Sequence, residues 1–187
     1  DRYLWLVEHF RALDWDNTKL HDASPFRVVD PGFNAILIRS AADLADLAEQ
    51  LDLTEIAAEN RRFATNGIAA METLWSEAHG QYLCYDRVAQ TLIDSRSMGG
   101  LLAAFAPIPA ARAARIAQTI AGHGSRFGVA SHAPDDPRFQ SKRYWRGPAW
   151  LVVNYMIGDG LARAGLGDAA EAITRASLDL IRTSGFA

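Results

Sequence analysis

The stretch KRYWRGPAW, Lys142 to Trp150, carries the residue types best suited to ligand binding in this chain. Tyr144, Trp145 and Trp150 offer rigid, amphipathic rings. Their faces stack on apolar surfaces such as the C–H faces of sugar rings, and their polar tips hydrogen-bond hydroxyl groups. Arg146 adds a planar fork of donors that suits a carboxylate or several hydroxyls. Residue types alone leave two interpretations open, a binding surface and an aromatic corner of the core.

The residues that follow this stretch predict how it is held. Gly147 lets the backbone pass close to a ligand, and Pro148 is expected in the first turn of a helix. That helix is apolar nearly all round up to Gly165, which predicts burial on most sides and places Trp150 one turn inside it. A long loop that runs to about Ser141 leads into the segment.

Helical periodicity dominates the rest of the sequence. Six further helices are predicted: one from Tyr3 to Leu13, one from Phe33 to Leu51, one capped by Asp52 or Thr54, a short one in GGLLAAFAPI closed by Pro107, one from Pro109 to Ala121 and one capped by Asp168. The second carries a stripe formed by Ile36, Ser40, Leu44, Leu47 and Leu51. Gly67 inside the third costs about 1 kcal/mol relative to Ala, so a packing reason is expected there. Alternation around Tyr82 and Cys84 predicts a short strand or extended segment near 81–86.

Composition excludes several functions. The chain is 49% hydrophobic and 22% charged, with a net charge of −3 and no basic block, so nucleic acid is not an expected partner. No apolar run reaches the ~20 residues of a membrane-spanning helix, so no membrane partner is expected. Cys84 is alone and pairs with no second cysteine in the chain, which is typical of a cytoplasmic protein. The five histidines lack metal-ligand spacing, and no phosphate-binding or dinucleotide glycine pattern occurs, so no metal or cofactor is expected.

Other polar and aromatic residues have simpler interpretations. Asp135 and Asp136 are adjacent in a loop, so we expect a solvated turn. Asp30 precedes Pro31 and Gly32, and a turn or helix cap is expected there before any catalytic role. Trp75 and Tyr82 are predicted to be core residues.

With its flanks, the segment FQSKRYWRGPAWLVVNYMIGDGL resembles the signature region of the α/α-toroid glycosidases of glycoside hydrolase family 63. It is most similar to the bacterial mannosylglycerate and glucosylglycerate hydrolases. Four other segments resemble the same proteins in the same order: SPFRVVDPGFNAILIRSAADLADLAEQL, LWSEAHGQYLCYD, SMGGLLAAFA and LIRTSGFA. The resemblance implies an all-α chain that forms part of an (α/α)6 toroid. Residues 1–187 are expected to be a partial catalytic domain, incomplete at both ends.

The resemblance also implies hydrolysis of small α-glucosides or α-mannosides with inversion, which needs two carboxyl groups roughly 6.5–9.5 Å apart. In the family, the acid is the Asp of a Gly-x-Asp-Asn-Ser-Pro-like motif, and the base is a Glu that follows a Gly-Phe pair. Asp16 and Asn17 have the wrong spacing and position for the acid. The acid is therefore expected before Asp1 and the base just after Ala187, so residues 1–187 alone are expected to be inactive.

The resemblance also implies roles for individual residues of the aromatic segment. Tyr144, Trp145 and Trp150 match family positions that line the sugar pocket, and Arg146 either contacts substrate or braces the loop. Two further functions stay open at this stage: a non-catalytic carbohydrate-binding or degenerate protein, and a helical scaffold without a ligand. Half a toroid exposes apolar inner-helix surface around Leu151 to Ile157. Self-association, or the rest of the same protein, is expected to cover that surface.

Overall fold

The computed structural model describes residues 1–123 and 125–185. Eight α-helices occur in this part of the chain: α1 (Arg2–Ala12), α2 (Asn17–Ala23), α3 (Pro31–Gln50), α4 (Thr54–Met71), α5 (Met98–Leu102), α6 (Ala110–Gly122), α7 (Leu151–Arg163) and α8 (Gly167–Ser184). Single 3-10 turns, Glu72–Leu74 and Ala103–Phe105, extend α4 and α5. None of the helices in the described ranges is long and apolar enough to cross a membrane.

Short strands fill the turns between helices. β1 (Val28–Val29), β4 (Tyr85–Asp86) and β5 (Thr91–Leu92) form one antiparallel sheet in the order β1-β4-β5. β2 (Trp75–Ser76) and β3 (Gln81–Tyr82) pair as a separate antiparallel hairpin. The extended segment predicted near 81–86 is therefore confirmed, because it contains both β3 and β4.

Two helical hairpins, α3–α4 and α7–α8, frame the core, and α5 with its 3-10 turn lies between them. Ile38 of α3, Leu101 of α5, Ile116 of α6 and Ile157 of α7 are all buried in one cluster. Gly67 has the packing reason that was expected, since an added Cβ would meet the Ile38 side chain at 2.7 Å. The all-helical core with marginal strands confirms the predicted fold class.

Helix starts show where the sequence prediction fails. α2 lies in a stretch that was interpreted only as polar; Asp16 caps it by accepting a hydrogen bond from the Thr18 backbone N–H at 2.9 Å. α4 follows Leu53 without a side-chain cap, so the prediction of Asp52 or Thr54 was wrong. α8 begins at Gly167, which leaves Asp168 in the first turn instead of at the cap.

The helix after the aromatic segment also starts later than predicted. α7 begins at Leu151, with Trp150 as its N-cap residue, so Pro148 is not a first-turn residue and Trp150 is not inside the helix. The helix is buried on one side only, because Val152 and Tyr155 are exposed. The expectation of burial on most sides is therefore wrong for the described residues.

The stripe on α3 lies on the opposite side from the core. Leu44, Leu47 and Leu51 are exposed, whereas a face of small residues, Ala35, Ala41, Ala45 and Ala48, is buried against neighbouring elements. Small side chains let α4 approach α3 closely, so the larger leucines face outward. Together with Val152 and Tyr155, this stripe leaves extensive apolar surface uncovered in the described chain.

Gly160 marks a close approach of α7 to the 3-10 turn that follows α5. A Cβ added there would overlap the Ala104 carbonyl oxygen and lie 2.7 Å from the Phe105 Cα, which are backbone atoms that cannot rotate away. We expect Gly160→Ala to lower the free energy of unfolding by about 2 kcal/mol, in the range of overpacked cores. Urea unfolding of the complete protein measures this loss.

Gly122→Ala is the matched control, since an added Cβ at Gly122 meets no atom of the described residues within 4 Å. Equal unfolding free energies for the two variants would contradict the close approach of α7 to the 3-10 turn.

Candidate functional site

Tyr144, Trp145 and Trp150 form one contiguous aromatic cluster. Ring centroids lie 4.5 Å apart for Tyr144 and Trp150, 5.4 Å for the two tryptophans, and 5.2 Å for Tyr144 and Trp145. The Trp150 indole N–H donates a hydrogen bond to the Tyr144 carbonyl at 3.1 Å. This bond holds the Trp150 ring against the backbone segment that carries Tyr144 and Trp145. Tyr144 is 62% exposed and Trp145 is 59% exposed, so the cluster presents its faces outward. This is the exposure of a surface platform rather than of a core corner.

Tight turns shape the segment that carries the rings. The Gln140 N–H donates to the Arg146 carbonyl at 2.7 Å, and the Arg146 N–H donates to the Arg143 carbonyl at 2.7 Å. Gly147 is buried, and a Cβ added there would overlap the Gln140 carbonyl oxygen. The glycine was predicted to admit a ligand. In the structure, the backbone of Gln140 occupies the space beside Gly147, and this contact closes the loop.

Arg146 lies apart from the aromatic faces. Its Nη2 donates a hydrogen bond of 3.3 Å to the Gln140 side-chain oxygen, across the base of the same loop. Of the two roles left open for Arg146, this contact favours bracing the loop.

Trp145 is one wall of a cavity of about 640 Å³. The cavity is also lined by α3 and residues before it, and by the start of α5. Its principal lining residues are Asp30, Phe33, Ser97, Ser131, Trp145 and Val153. An apolar cleft with a few convergent polar groups is the usual form of a small-molecule site. Tyr144, Arg146 and Trp150 are not among the lining residues, so Trp145 is the predicted site residue that reaches the cavity.

Three polar residues of this cavity were not predicted as site residues. Asp30 caps α3, as expected, by accepting a hydrogen bond from the Phe33 N–H at 2.7 Å. Ser97 precedes α5 and pairs with His132 in an isolated antiparallel bridge. The Ser131 hydroxyl oxygen accepts the Gly147 N–H at 2.8 Å. Each lies in a turn, where periodicity gives no signal, although Asp30 falls within a segment that resembles the family.

Asn154 fixes the start of α7 to the loop before it. Its side-chain oxygen accepts the Val129 N–H at 2.6 Å, and its Nδ2 donates to the carbonyls of Val129 and Trp150 at 2.9 and 3.0 Å. The residue is fully buried, and all these partners are backbone groups. Trp150 is therefore positioned through its own carbonyl as well as through its indole.

Asp136 anchors the other end of the loop, contrary to the prediction of a solvated pair. The pair divides: Asp135 is 70% exposed at its side chain, whereas Asp136 is 3% exposed. Arg138 grips the Asp136 carboxylate with two side-chain bonds of 2.9 and 2.8 Å and with its backbone N–H at 2.9 Å. His132 Nε2 approaches the same carboxylate at 3.3 Å and Arg96 Nε at 3.8 Å.

These contacts set the charge of Asp136. The Arg138 hydrogen bonds, helped by His132 and opposed by burial, hold the pKa of Asp136 well below its usual range. The stabilisation is therefore present above the unfolded-state pKa, near 4, and is lost as the pH falls through the lower folded-state pKa.

We expect Asp136→Asn to lower the free energy of unfolding at pH 7 by about 2 kcal/mol. This loss is smaller than that for a fully buried pair, because Arg138 remains half exposed. Chemical denaturation of the complete protein at pH 7 and pH 3 measures the effect. The wild type should lose more stability on acidification than the variant, because only the wild type has this carboxylate to protonate.

Asp135→Asn provides the control, since its carboxylate bonds Arg96 at 2.9 Å but lies in solvent. A change below about 0.5 kcal/mol is expected there. An Asp136→Asn variant with the same pH profile as the wild type would contradict the anchoring role.

Trp75 and Tyr82 belong to the core, as predicted. Tyr82 is fully buried, donates a hydrogen bond to Glu72 at 2.7 Å, and packs edge-on against Trp75 at 5.0 Å. Neither residue lines the cavity. Cys84 lies nearer to the site: its thiol donates to Asp30 Oδ2 at 3.3 Å, and burial, with the Asp30 charge, raises the pKa of the thiol to about 12.

Solved structures that this chain resembles include glycosidases. The chain superposes on the family 63 mannosylglycerate hydrolase of Thermus thermophilus, solved in complex with Tris, with a TM-score of 0.92 and 37% identity. The match covers 99% of this chain and 45% of that one. The neutral trehalase Nth1 of Saccharomyces cerevisiae is 15% identical and matches 85% of this chain and 33% of its own, with a TM-score of 0.71, which shows likeness of fold alone. The helical hairpins thus have the fold of the α/α-toroid glycosidases.

Sequence similarity identifies the family of this chain within that class. The chain belongs to the mannosylglycerate hydrolase MGH1-like glycoside hydrolase domain family, which it matches over residues 1–187. It is 36% identical to the mannosylglycerate hydrolase MGH1 of Selaginella moellendorffii over 188 aligned positions, which cover 99% of this chain and 38% of that protein. The chain thus spans less than half the length of the relatives that it matches. The resemblance inferred from the sequence is confirmed.

Proposed function

We propose that this chain is part of an inverting glycosidase that hydrolyses small α-glucosides or α-mannosides such as a glycosylglycerate. The carrying observation is the exposed aromatic cluster, whose Trp145 lines a 640 Å³ cavity together with Asp30, Ser97 and Ser131. A flat aromatic wall suits the apolar face of a sugar ring, and hydroxyl and carboxylate groups suit its edge. Family membership supports hydrolysis over the alternatives of a binding-only protein and a scaffold.

The sugar-binding and acid–base roles are divided between this chain and the rest of the protein according to the residues that the chain contains. Residues 1–187 form a partial (α/α)6 catalytic domain that supplies the wall and floor of the sugar site. Inversion requires an acid to protonate the leaving oxygen and a base to activate water on the opposite face of the ring. We assign both carboxyl groups to sequence before Asp1 and after Ala187. Phe186 and Ala187, which precede the proposed base, lie outside the described residues.

The proposed binding partners follow from placing the two catalytic carboxyl groups outside residues 1–187. The exposed apolar stripe of α3, with Val152 and Tyr155 of α7, needs a cover, and we propose that the rest of the same protein provides it in preference to a second copy. The substrate is a small carbohydrate, and the expected location of the enzyme is the cytoplasm.

Removing the exposed tryptophan tests the sugar wall. We expect Trp145→Ala in the complete protein to lower kcat/KM for mannosylglycerate or glucosylglycerate at least tenfold, which equals about 1.4 kcal/mol of lost transition-state stabilisation. The loss arises because the variant has no ring face to stack on the substrate.

Trp15→Ala is the matched control. Trp15 is 53% exposed, close to the exposure of Trp145, but does not line the cavity, so its removal should leave kcat/KM within twofold. Equal kinetics for the two variants would remove Trp145 from the substrate site.

Residues 1–187 by themselves should show no turnover of either glycosylglycerate, because the proposed acid and base are not among them. Product release followed by chromatography tests this, with the complete protein as the positive control. Hydrolysis by residues 1–187 that survives repurification would show that the catalytic pair has been assigned to the wrong sequence.

A further inference from the structure

We propose that Asp30 is a substrate-binding residue whose carboxylate accepts hydrogen bonds from hydroxyls of the glycosyl ring that stacks on Trp145. This inference rests on the proposed function and deepens it, because it assigns one wall of the cavity to one part of the substrate. It gives Asp30 a second role beside its capping of α3.

The hydrogen bonds of Asp30 leave acceptor capacity unused. Its Oδ1 accepts the Phe33 N–H at 2.7 Å, which completes the cap. Within residues 1–123 and 125–185, its Oδ2 accepts only the Cys84 thiol, at 3.3 Å. A thiol is a weak donor, and a carboxylate oxygen has two lone pairs, so Oδ2 is able to accept at least one stronger bond. Sugar hydroxyls donate well to an ionised carboxylate.

The space beside Oδ2 is kept open by a glycine. Gly99 lines the same cavity, and a Cβ added there would lie 3.3 Å from Asp30 Oδ2 and 3.5 Å from the Ser97 hydroxyl oxygen. Any side chain at this position would occupy the place where a ligand hydroxyl meets the carboxylate. The same added Cβ would lie 3.6 Å from Oδ1, the oxygen of the capping bond, which is an ordinary van der Waals distance, so the tight approach is to Oδ2.

The charge of the cavity fixes which part of the substrate lies here. Asp30 is the one charged side chain among its described lining residues; the others are apolar residues, glycines and the two serines. A glycerate carboxylate placed against Asp30 would be repelled at short range without a cation to offset the repulsion. The neutral glycosyl ring therefore faces Asp30, and the anionic aglycone extends away from it.

Asp30→Asn separates the two roles. Asparagine caps helices as well as aspartate does, so stability should be retained. The substitution removes the charge and leaves one acceptor atom in place of two. We expect kcat/KM in the complete protein to fall at least tenfold for mannosylglycerate or glucosylglycerate. The midpoint of thermal unfolding should stay within about 1 °C of the wild type, below the shift of roughly 2–4 °C that a loss of 1 kcal/mol gives in a domain of 150–250 residues.

Two variants complete the experiment. Gly99→Ala keeps the carboxylate but fills the space beside Oδ2, and it should also lower kcat/KM at least tenfold. Asp16→Asn makes the same exchange at the cap of α2, away from the cavity, and should leave the kinetics unchanged within twofold. Wild-type kinetics for both Asp30→Asn and Gly99→Ala would show that Asp30 is a cap alone and overturn the proposal.

A neutral substrate tests the orientation. With kojibiose, which carries no carboxylate, Asp30→Asn should lower kcat/KM by the same factor as with glycosylglycerate, since the contact is with the glycosyl ring. A loss confined to glycosylglycerates would place the aglycone at Asp30 and overturn the assignment.

Failure of the proposed function is separable from failure of this inference. Absence of turnover by the wild-type complete protein on all three glycosides overturns the proposed hydrolysis. Titration calorimetry with mannose and glucose then decides the role of Asp30. At least tenfold weaker binding by Asp30→Asn supports the contact, and equal binding, or no binding by the wild type, overturns it.

Discussion

The site depends on the hydrogen bonds that join Ser131 to the backbone around Gly147. The Ser131 hydroxyl oxygen accepts the Gly147 N–H at 2.8 Å, and the Ser131 N–H donates to the Pro148 carbonyl at 2.9 Å. The Ser131 carbonyl in turn accepts the Met98 N–H at 3.1 Å. One buried residue thereby ties α5, the long loop and the start of α7 together. The bridge between Ser97 and His132 adds a second connection between the same loop and the start of α5.

Sequence patterns predicted the parts of this arrangement that depend on local chemistry. Periodicity located α3, α4, α6, α7 and α8, and the rigid types of Tyr144, Trp145 and Trp150 identified the platform. Asp30 was recognised as a cap because a short polar acceptor before a proline is a local signal. The same locality explains the errors at α4 and α8, since Leu53 and Leu166 cap without a side-chain bond and leave no signature.

The remainder depends on contacts between residues distant in sequence. Nothing near Asn154 in the chain indicates that its amide pairs with Val129, and nothing near Asp136 distinguishes it from its solvated neighbour Asp135. On α3, the leucines form a convincing apolar stripe, yet the alanine face is buried, because close helix packing favours small residues over large ones. The helix that packs against α3 decides which face of α3 is buried, and a single sequence does not contain that information.

Burial divides the charges of the site into two groups with different consequences. Asp136 is neutralised by Arg138 and supported by His132 and Arg96, so its charge is satisfied within the loop and holds the platform in place. Among the residues that the structure describes, Asp30 has only a backbone N–H and a thiol as partners, and it lines the cavity. A carboxylate fully satisfied by the protein stabilises structure, whereas one left partly unsatisfied beside an apolar cleft attracts donors from solution. Trp145 of the platform therefore supplies the apolar contact and Asp30 the polar one, within one cavity.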